Sequence, residues 1–339
     1  MAVLGTDEFM IERGGTLYKA PVSDLPSGGG GSPAGTGTEV QFRDGASFGA
    51  ASKTSIGTAG NLILGSNSTQ PAAPPADTLQ LFGRRRAGAD FLEVQRPNGR
   101  EIPLSPHLGF NRIATWAPSS GTTVVASGMP RSVVGTVAHP SLASTNLSTS
   151  IRRWRVTSSA VITGSASDER APVTLCWRGN AAGLGGWTYT NRISLVTLQA
   201  SSNGFFGMLS SASALAVTQS TNTLTNCLGF GFTNGVDTNW QVIHNSGTGT
   251  STKVDMGANF PVSNFNNVYT FFIFASANGS FVGMRAVNET SGVAYETELT
   301  TNIPASTTFL SVRNYLNNGA TVAANVAYDC SGVYLETDY

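Results

Sequence analysis

The stretch DTNWQVIHNSGTGTSTKVDMG, Asp237 to Gly257, places Asp237, Trp240, His244 and Asp255 in one short span. His244 is one of only three histidines in 339 residues, so acid–base or ligand chemistry would concentrate here. A second stretch, GNAAGLGGWTYT from Gly179 to Thr190, reads as a glycine-rich loop that delivers Trp187 and Tyr189 near an exposed tip. Aromatic rings can stack on the apolar faces of sugars, while Asn, Ser and Thr bond sugar hydroxyls. Trp187, Tyr189, Trp240 and His244 are therefore the candidate sugar-contacting residues. The plainer alternative is a hairpin whose histidine caps the edge of an aromatic core.

Other chemistries have less to work with. Glycoside hydrolysis needs two carboxylates flanking a cleft. The acids available in the second half, among them Asp168, Glu169, Asp329 and Glu336, mostly sit beside turns or near the carboxyl end, where solvated carboxylates are expected. His107 and His139 lie in the Pro-flanked contexts SPHLG and AHPS, with no nucleophile elbow nearby. No His/Cys/Asp/Glu spacing suits a metal, and no cofactor motif is present. Cys176, Cys227 and Cys330 are too few and scattered for a disulfide framework and read as buried thiols. The expectation is a protein that is not an enzyme.

Strand alternation divides the opening stretch. If NWQVIHN is a strand, Trp240, Val242 and His244 share one face, and Gln241 and Ile243 the other. KVDMG then returns with Val254 and Met256 on one face and Lys253 and Asp255 on the other. The acid and the histidine are thereby separated.

The elements that must carry these residues are β-strands. Lys+Arg (20) balances Asp+Glu (20), and charged residues form only 12% of the chain, so no long-range field draws it to nucleic acid or an anionic membrane. Six arginines between Arg84 and Arg112 make one basic neighbourhood, read as partners for Asp90, Glu93 and Glu101 at a subunit junction. Ser, Thr, Asn and Gly dominate, and long runs of helix formers are missing, which gives an all-β class. The apolar run VYTFFIFA is far shorter than the roughly 20 residues of a membrane span, so no membrane insertion is expected. The acids at the amino end argue against a secretory signal and imply folding in a cytoplasm.

Four regions follow one another. Residues 1–26 hold FMIER and TLYKA around Gly14-Gly15, a hairpin that must dock on a partner because two strands alone are marginal. Residues 27–76 form a Gly/Pro-rich tether and a thin segment, VQFRDGASFGAASKTSIGTAGNLILG, that buries its few apolar side chains only by winding with other copies. Residues 77–115 make a β connector or trimerisation region. Residues 116–339 carry some ten strand-like runs in about 220 residues, the pattern of an antiparallel β-sandwich of jelly-roll type. The plainest hairpin spans Val268 to Glu289 around Asn278-Gly279.

With these residues in view, the chain resembles virion proteins of tailed bacteriophages, in the tail-fibre and receptor-binding group. DEFMIERGGTLYKAPVSDL looks like the particle-anchoring motif of such proteins, and VQFRDGASFGA is similar to their fibre shafts. LFGRRRAGADFLEVQRPNGREIPLSPHLGFNRIATW, the Asp237–Gly257 stretch and the terminal VYLETDY resemble their carboxyl-terminal module. The resemblance implies a homotrimer located in the virion and assembled in the host cytoplasm. Residues 1–26 would be held by a tail, baseplate or capsid protein, with Phe9, Ile11, Leu17 and Tyr18 as the virion anchor. A lectin-like head would meet a host cell-surface glycan. A purely structural capsid spike, head fibre or baseplate role is the alternative, and a polysaccharide depolymerase a more distant one.

Overall fold

The computed structural model describes most of residues 62–95, 101–104, 112–119, 123–181 and 184–337, and the backbone of four earlier strands. The chain divides into two compact units: Met1–Arg84 with Leu92–Pro103, and Arg85–Phe91 with Leu104–Tyr339.

In the first unit, strands Glu8–Arg13 and Thr16–Pro21 pair antiparallel from Glu8↔Pro21 to Arg13↔Thr16, as the Gly-Gly turn signal implied. The anchor side chains of Phe9, Ile11, Leu17 and Tyr18 lie outside the described residues. The thin segment does pair with itself: Glu39–Asp44, Ser47–Ile56 and Leu62–Leu64 form an antiparallel three-stranded sheet. The apolar side chains of residues 39–61, whose burial was expected from winding with other copies, lie outside the described residues.

The second unit is an antiparallel sandwich of a nine-stranded and a seven-stranded sheet. The chain crosses repeatedly between them, and one continuous core holds them together. The large sheet is organised about its longest members, Trp187–Thr197 and Ala327–Thr337, which pair with each other. On its free side Ala327–Thr337 takes two short strands end to end, Trp154–Thr157 and Arg112–Pro118. The sequence reading assigned Arg112 to Thr115 to a connector. They belong to this sheet because Trp116 and Ala114 on the same strand enter the core.

The two hairpins expected from sequence are present. Tyr269–Ala275 pairs with Val282–Asn288, with Asn278 in the left-handed region at φ 52°. Gln241–Asn245 pairs with Thr252–Asp255 from Gln241↔Asp255 to His244↔Thr252. Two strands lacked any apolar alternation by which to be found. Ala166–Arg170 (ASDER) buries its charges on partners across the sheet, and Asn203–Leu209 (NGFFGML) is buried on both faces. The second face of Asn203–Leu209 is closed by the 210–226 segment, which lies over the small sheet. Arg313 donates to the carbonyls of Ser211 and Ser213, Tyr315 to that of Ala216, and Asn317 to that of Gln219. Beneath this strap Phe205, Leu209, Leu224, Cys227 and Ile243 form a second apolar cluster.

The carboxylates expected in solvent are in fact central. Glu169 accepts from Arg131, from Trp154 Nε1 (2.9 Å) and from Asn314 Nδ2 (3.0 Å) at 0% exposure. Asp168 takes Arg313 Nη1 at 2.6 and 2.7 Å, and Asp329 is shared by Arg153 and Arg155. A buried charge persists only when paired and hydrogen-bonded, and each of these is. Burial lowers the Arg313 pKa, against the opposing pull of Asp168.

Candidate functional site

Trp187, Tyr189 and Trp240 are at 2%, 0% and 0% exposure, so none offers a ring face to a sugar. The glycine-rich loop exposes Asn180, Ala181 and Leu184, but its aromatic residues lie beyond that tip. A side chain on Gly179 or Gly185 would collide with the backbone of the other or of Leu184, and both have positive φ. These glycines let two backbone segments cross at close range, and the strand that follows turns Trp187 and Tyr189 inward. Trp240 packs edge-on against Phe232 (5.0 Å) and tilted against Phe271 (4.9 Å), in the middle of the core. Alternation had put Trp240, Val242 and His244 on one face. That face is the inner one, and the strap and its cluster lie against the outer one.

His244 is buried at 5% exposure, with Nδ1 at 3.0 Å from the Asn302 carbonyl. Burial lowers its pKa, partly offset by that bond. Asn302, itself at φ 49°, also accepts from the Ser246 amide and donates to Thr252 Oγ1, so it fastens both ends of the hairpin. On the other face Lys253 Nζ meets Asp237 Oδ2 at 2.6 Å. Asp255 is exposed and accepts from Asn239 Nδ2 (3.1 Å) and the Gly257 amide (2.6 Å), well apart in role from the buried Trp240 and His244.

A concave surface with suitable chemistry lies on the outer face of the large sheet. Along Trp187–Thr197 the burial alternates. Trp187, Tyr189, Asn191 and Ile193 point inward and Thr188, Thr190 and Arg192 outward. Register aligns two outward rows across the strands: Thr115, Tyr334, Thr190 and Phe272 in one, Gly332, Arg192 and Thr270 in the next. Between Arg192 and Ile193 the pairing with Ala327–Thr337 slips by one, leaving Ser331 as an extra residue in a bulge. Gly332 follows it. A Cβ there would meet nothing nearer than the Trp116 carbonyl at 3.9 Å, so the missing side chain leaves a hollow. The resulting groove of about 340 Å³ is bordered by Thr115, Thr190, Arg192, Thr270 and Tyr334.

Its polar groups are held in place. Arg192 Nε donates to Thr270 Oγ1 (3.0 Å), and Thr270 donates to Glu289 Oε1 (2.6 Å), which lies 3.5 Å from Arg192 Nη2. The Arg192 side chain keeps 41% of its surface open. Tyr334 donates its hydroxyl to Glu336 Oε2 (2.7 Å); burial first, and then that carboxylate, raise its pKa, so the phenol stays protonated. Beyond the groove Arg285 lies over the Phe272 ring at 5.1 Å. Sequence reasoning missed this site because its determinant is a glycine beside a bulge, visible only once register is known. Among the described residues no group of three or more His, Cys, Asp or Glu could hold a metal, and the three cysteines are buried and free.

Another aromatic surface lies in the loops at one end of the sandwich, where half-exposed Phe309 stacks on Trp177 at 5.4 Å and 14°. Arg178 anchors these loops by donating to the carbonyls of Gly279 (2.6 Å) and Pro304 (2.7 Å).

No protein-family model and no curated protein matches the chain. Among solved structures it is similar to peanut lectin (8% identity, 68% of this chain and 98% of that one, TM-score 0.44). It is also similar to arcelin-5, a lectin-like defence protein from Phaseolus vulgaris (7% identity, 68% and 99%, TM-score 0.43). A third is a carbohydrate esterase from the Shiga toxin-encoding bacteriophage phi24B (16% identity, 61% and 89%, TM-score 0.36). At these identities and scores no residue role transfers.

Proposed function

We propose that this chain is a tail-fibre-type subunit of a bacteriophage particle whose sandwich attaches to bacterial surface glycan through the groove over Gly332. The groove carries the reading. It offers an open hollow, threonine and tyrosine hydroxyls, and a half-exposed arginine whose position is fixed by Thr270 and Glu289. A sugar ring over Gly332 would lie beside Tyr334 and within reach of Arg192 and Thr190. The volume is at the small end of ligand pockets, suited to one or two sugar units. Three copies per appendage, held to the particle through residues 1–26, would multiply weak contacts by about 10²–10⁴ through effective concentration.

Binding without hydrolysis fits the acids near the groove. By register, Glu336 and the Arg192–Thr270 row that holds Glu289 lie about four residues apart along the strands, roughly 13 Å. Each carboxylate is tied to its own partner, Tyr334 or Thr270. Paired-carboxylate hydrolysis uses acids about 5–9.5 Å apart across the scissile bond.

The test is equilibrium binding of host surface oligosaccharides to the intact chain and to Gly332→Leu and Arg192→Ala. Leucine at 332 fills the hollow without strain, so binding falls at least about tenfold while thermal stability stays within about 1 kcal/mol. Equal binding by wild type and Gly332→Leu would overturn the groove as the site.

A further inference from the structure

The bulge beside the groove coincides with an interruption in the neighbouring strands. Arg112–Pro118 pairs with Ala327–Thr337 as far as Trp116↔Val333, and Trp154–Thr157 begins its pairing at Trp154↔Cys330. Ser331 and Gly332 therefore face a notch between two strand ends. Arg152, which is exposed, spans the notch by donating Nη1 to the Ser119 carbonyl at 3.0 Å. Trp154 points into the core, so Arg153 and Arg155 on either side of it turn to the outer face, the face that carries Arg192.

Four arginines, Arg152, Arg153, Arg155 and Arg192, thus border the bulge against two carboxylates, Asp329 and Glu289. Arg153 Nε and Arg155 Nε each lie 2.7 Å from Asp329, whose side chain is 4% exposed. One buried carboxylate cannot neutralise two guanidiniums. Glu289 lies 3.5 Å from Arg192, and the partner of Arg152 is a neutral carbonyl. Glu336, the next acid along this face, is held by Tyr334 about four residues further on, roughly 13 Å. An excess of positive charge is thereby concentrated at the groove in a chain whose formal net charge is zero. Arg155 spends Nε and Nη2 on Asp329, which leaves Nη1, and 31% of its side chain stays open. By register Arg155 and Arg192 stand two strands and two residues apart, roughly 12 Å between Cα atoms. Their side chains can close that span on one or two sugar units.

We infer that the sugar taken over Gly332 is anionic, with a carboxylate or phosphate held by the Arg155 and Arg192 guanidiniums beside the ring. The inference rests on the proposal that the groove binds sugar and names the class of sugar. A guanidinium presents a planar fork that matches either anion, and such charge-assisted bonds are about twice as strong as neutral ones.

The experiment is titration of the intact chain, followed by ligand-observed NMR, with glucose, glucuronate and glucose 6-phosphate and with the corresponding galactose series. The uronate or the 6-phosphate is expected to bind at least about tenfold more tightly than the neutral hexose at low salt, and the ratio to shrink as added salt screens the arginines. The tighter anion identifies the group. Arg155→Gln should lower the ratio at least about threefold, with Asp329 still held by Arg153. Arg152→Gln alters an exposed side chain and should lower the ratio on an unperturbed fold. Equal binding of neutral and anionic sugars, abolished by Gly332→Leu, overturns the anionic class and leaves the groove standing. An anion preference that survives Gly332→Leu lies elsewhere on the chain and overturns the inference. Failure of every sugar to bind also overturns it, and the groove is then judged by the host oligosaccharides alone.

Discussion

The sandwich and the leucine-bearing sheet solve the same problem with opposite patterns. In the sandwich, alternate residues of Trp187–Thr197 send Trp187, Tyr189 and Ile193 into a core shared by two sheets, and leave threonines and an arginine outside. In Gln80–Arg86 and Ala89–Gln95, Arg84, Arg86, Glu93 and Gln95 are buried together with Phe82, and Leu81 and Leu92 are exposed. One unit closes its own core. In the other, among the described residues, Phe82 alone of the large apolar side chains is buried, and Leu62, Ile63, Leu79, Leu81 and Leu92 are exposed.

Trp240→Ala should break the first half of that contrast most severely. Removing a fully buried indole among Phe232, Phe271 and Tyr269 costs about 3–5 kcal/mol. Chemical denaturation should report the loss as a lower unfolding midpoint of the sandwich, and an unchanged midpoint would contradict the central place of this indole in the core.

Arg313→Ala comes next. It leaves Asp168 buried without its main partner and frees the Ser211 and Ser213 carbonyls, at a cost of about 3 kcal/mol. Limited proteolysis should then cut within 210–226 first. Asp168→Leu/Arg313→Met recovers much of the stability but leaves the strap susceptible, which separates the charge pair from the strap contacts.

A smaller, pH-dependent effect belongs to His244. Burial depresses its folded-state pKa below the ordinary imidazole value of about 6.5, so the unfolded chain binds the proton more readily. The contribution is fully present above pH ~6.5 and is lost as pH falls from there through the lower folded value. Melting temperature should therefore decline below pH ~6.5, and His244→Gln should flatten that decline. An unchanged slope would remove His244 as its cause. Smallest of all, Val236→Asp should change stability by no more than about 0.5 kcal/mol, the response of an exposed site away from the core.

The all-β class, the Tyr269–Asn288 hairpin and the Gln241–Asp255 hairpin were legible because strand alternation, an Asn-Gly turn and a Ser/Thr/Gly loop are local signals. The Ala166–Arg170 strand was not, because its polar residues are matched by Arg313 and Asn314 some 145 positions away. Trp187 and Tyr189 were misplaced for a related reason. A glycine-rich loop can hold its aromatic residues at the exposed tip or on the strand that follows, facing inward, and only tertiary structure distinguishes the two. The groove needed register as well, since Gly332 matters through Ser331, Arg192 and Trp116 together.

Where a sugar sits on the sandwich is the most direct test of the groove. An oligosaccharide from a host that the chain binds should be seen, in a structure of the intact chain with that ligand, over Gly332, beside Tyr334 and bonded to Arg192. Density over the Trp177–Phe309 pair, with the Gly332 groove empty at saturating ligand, would contradict it.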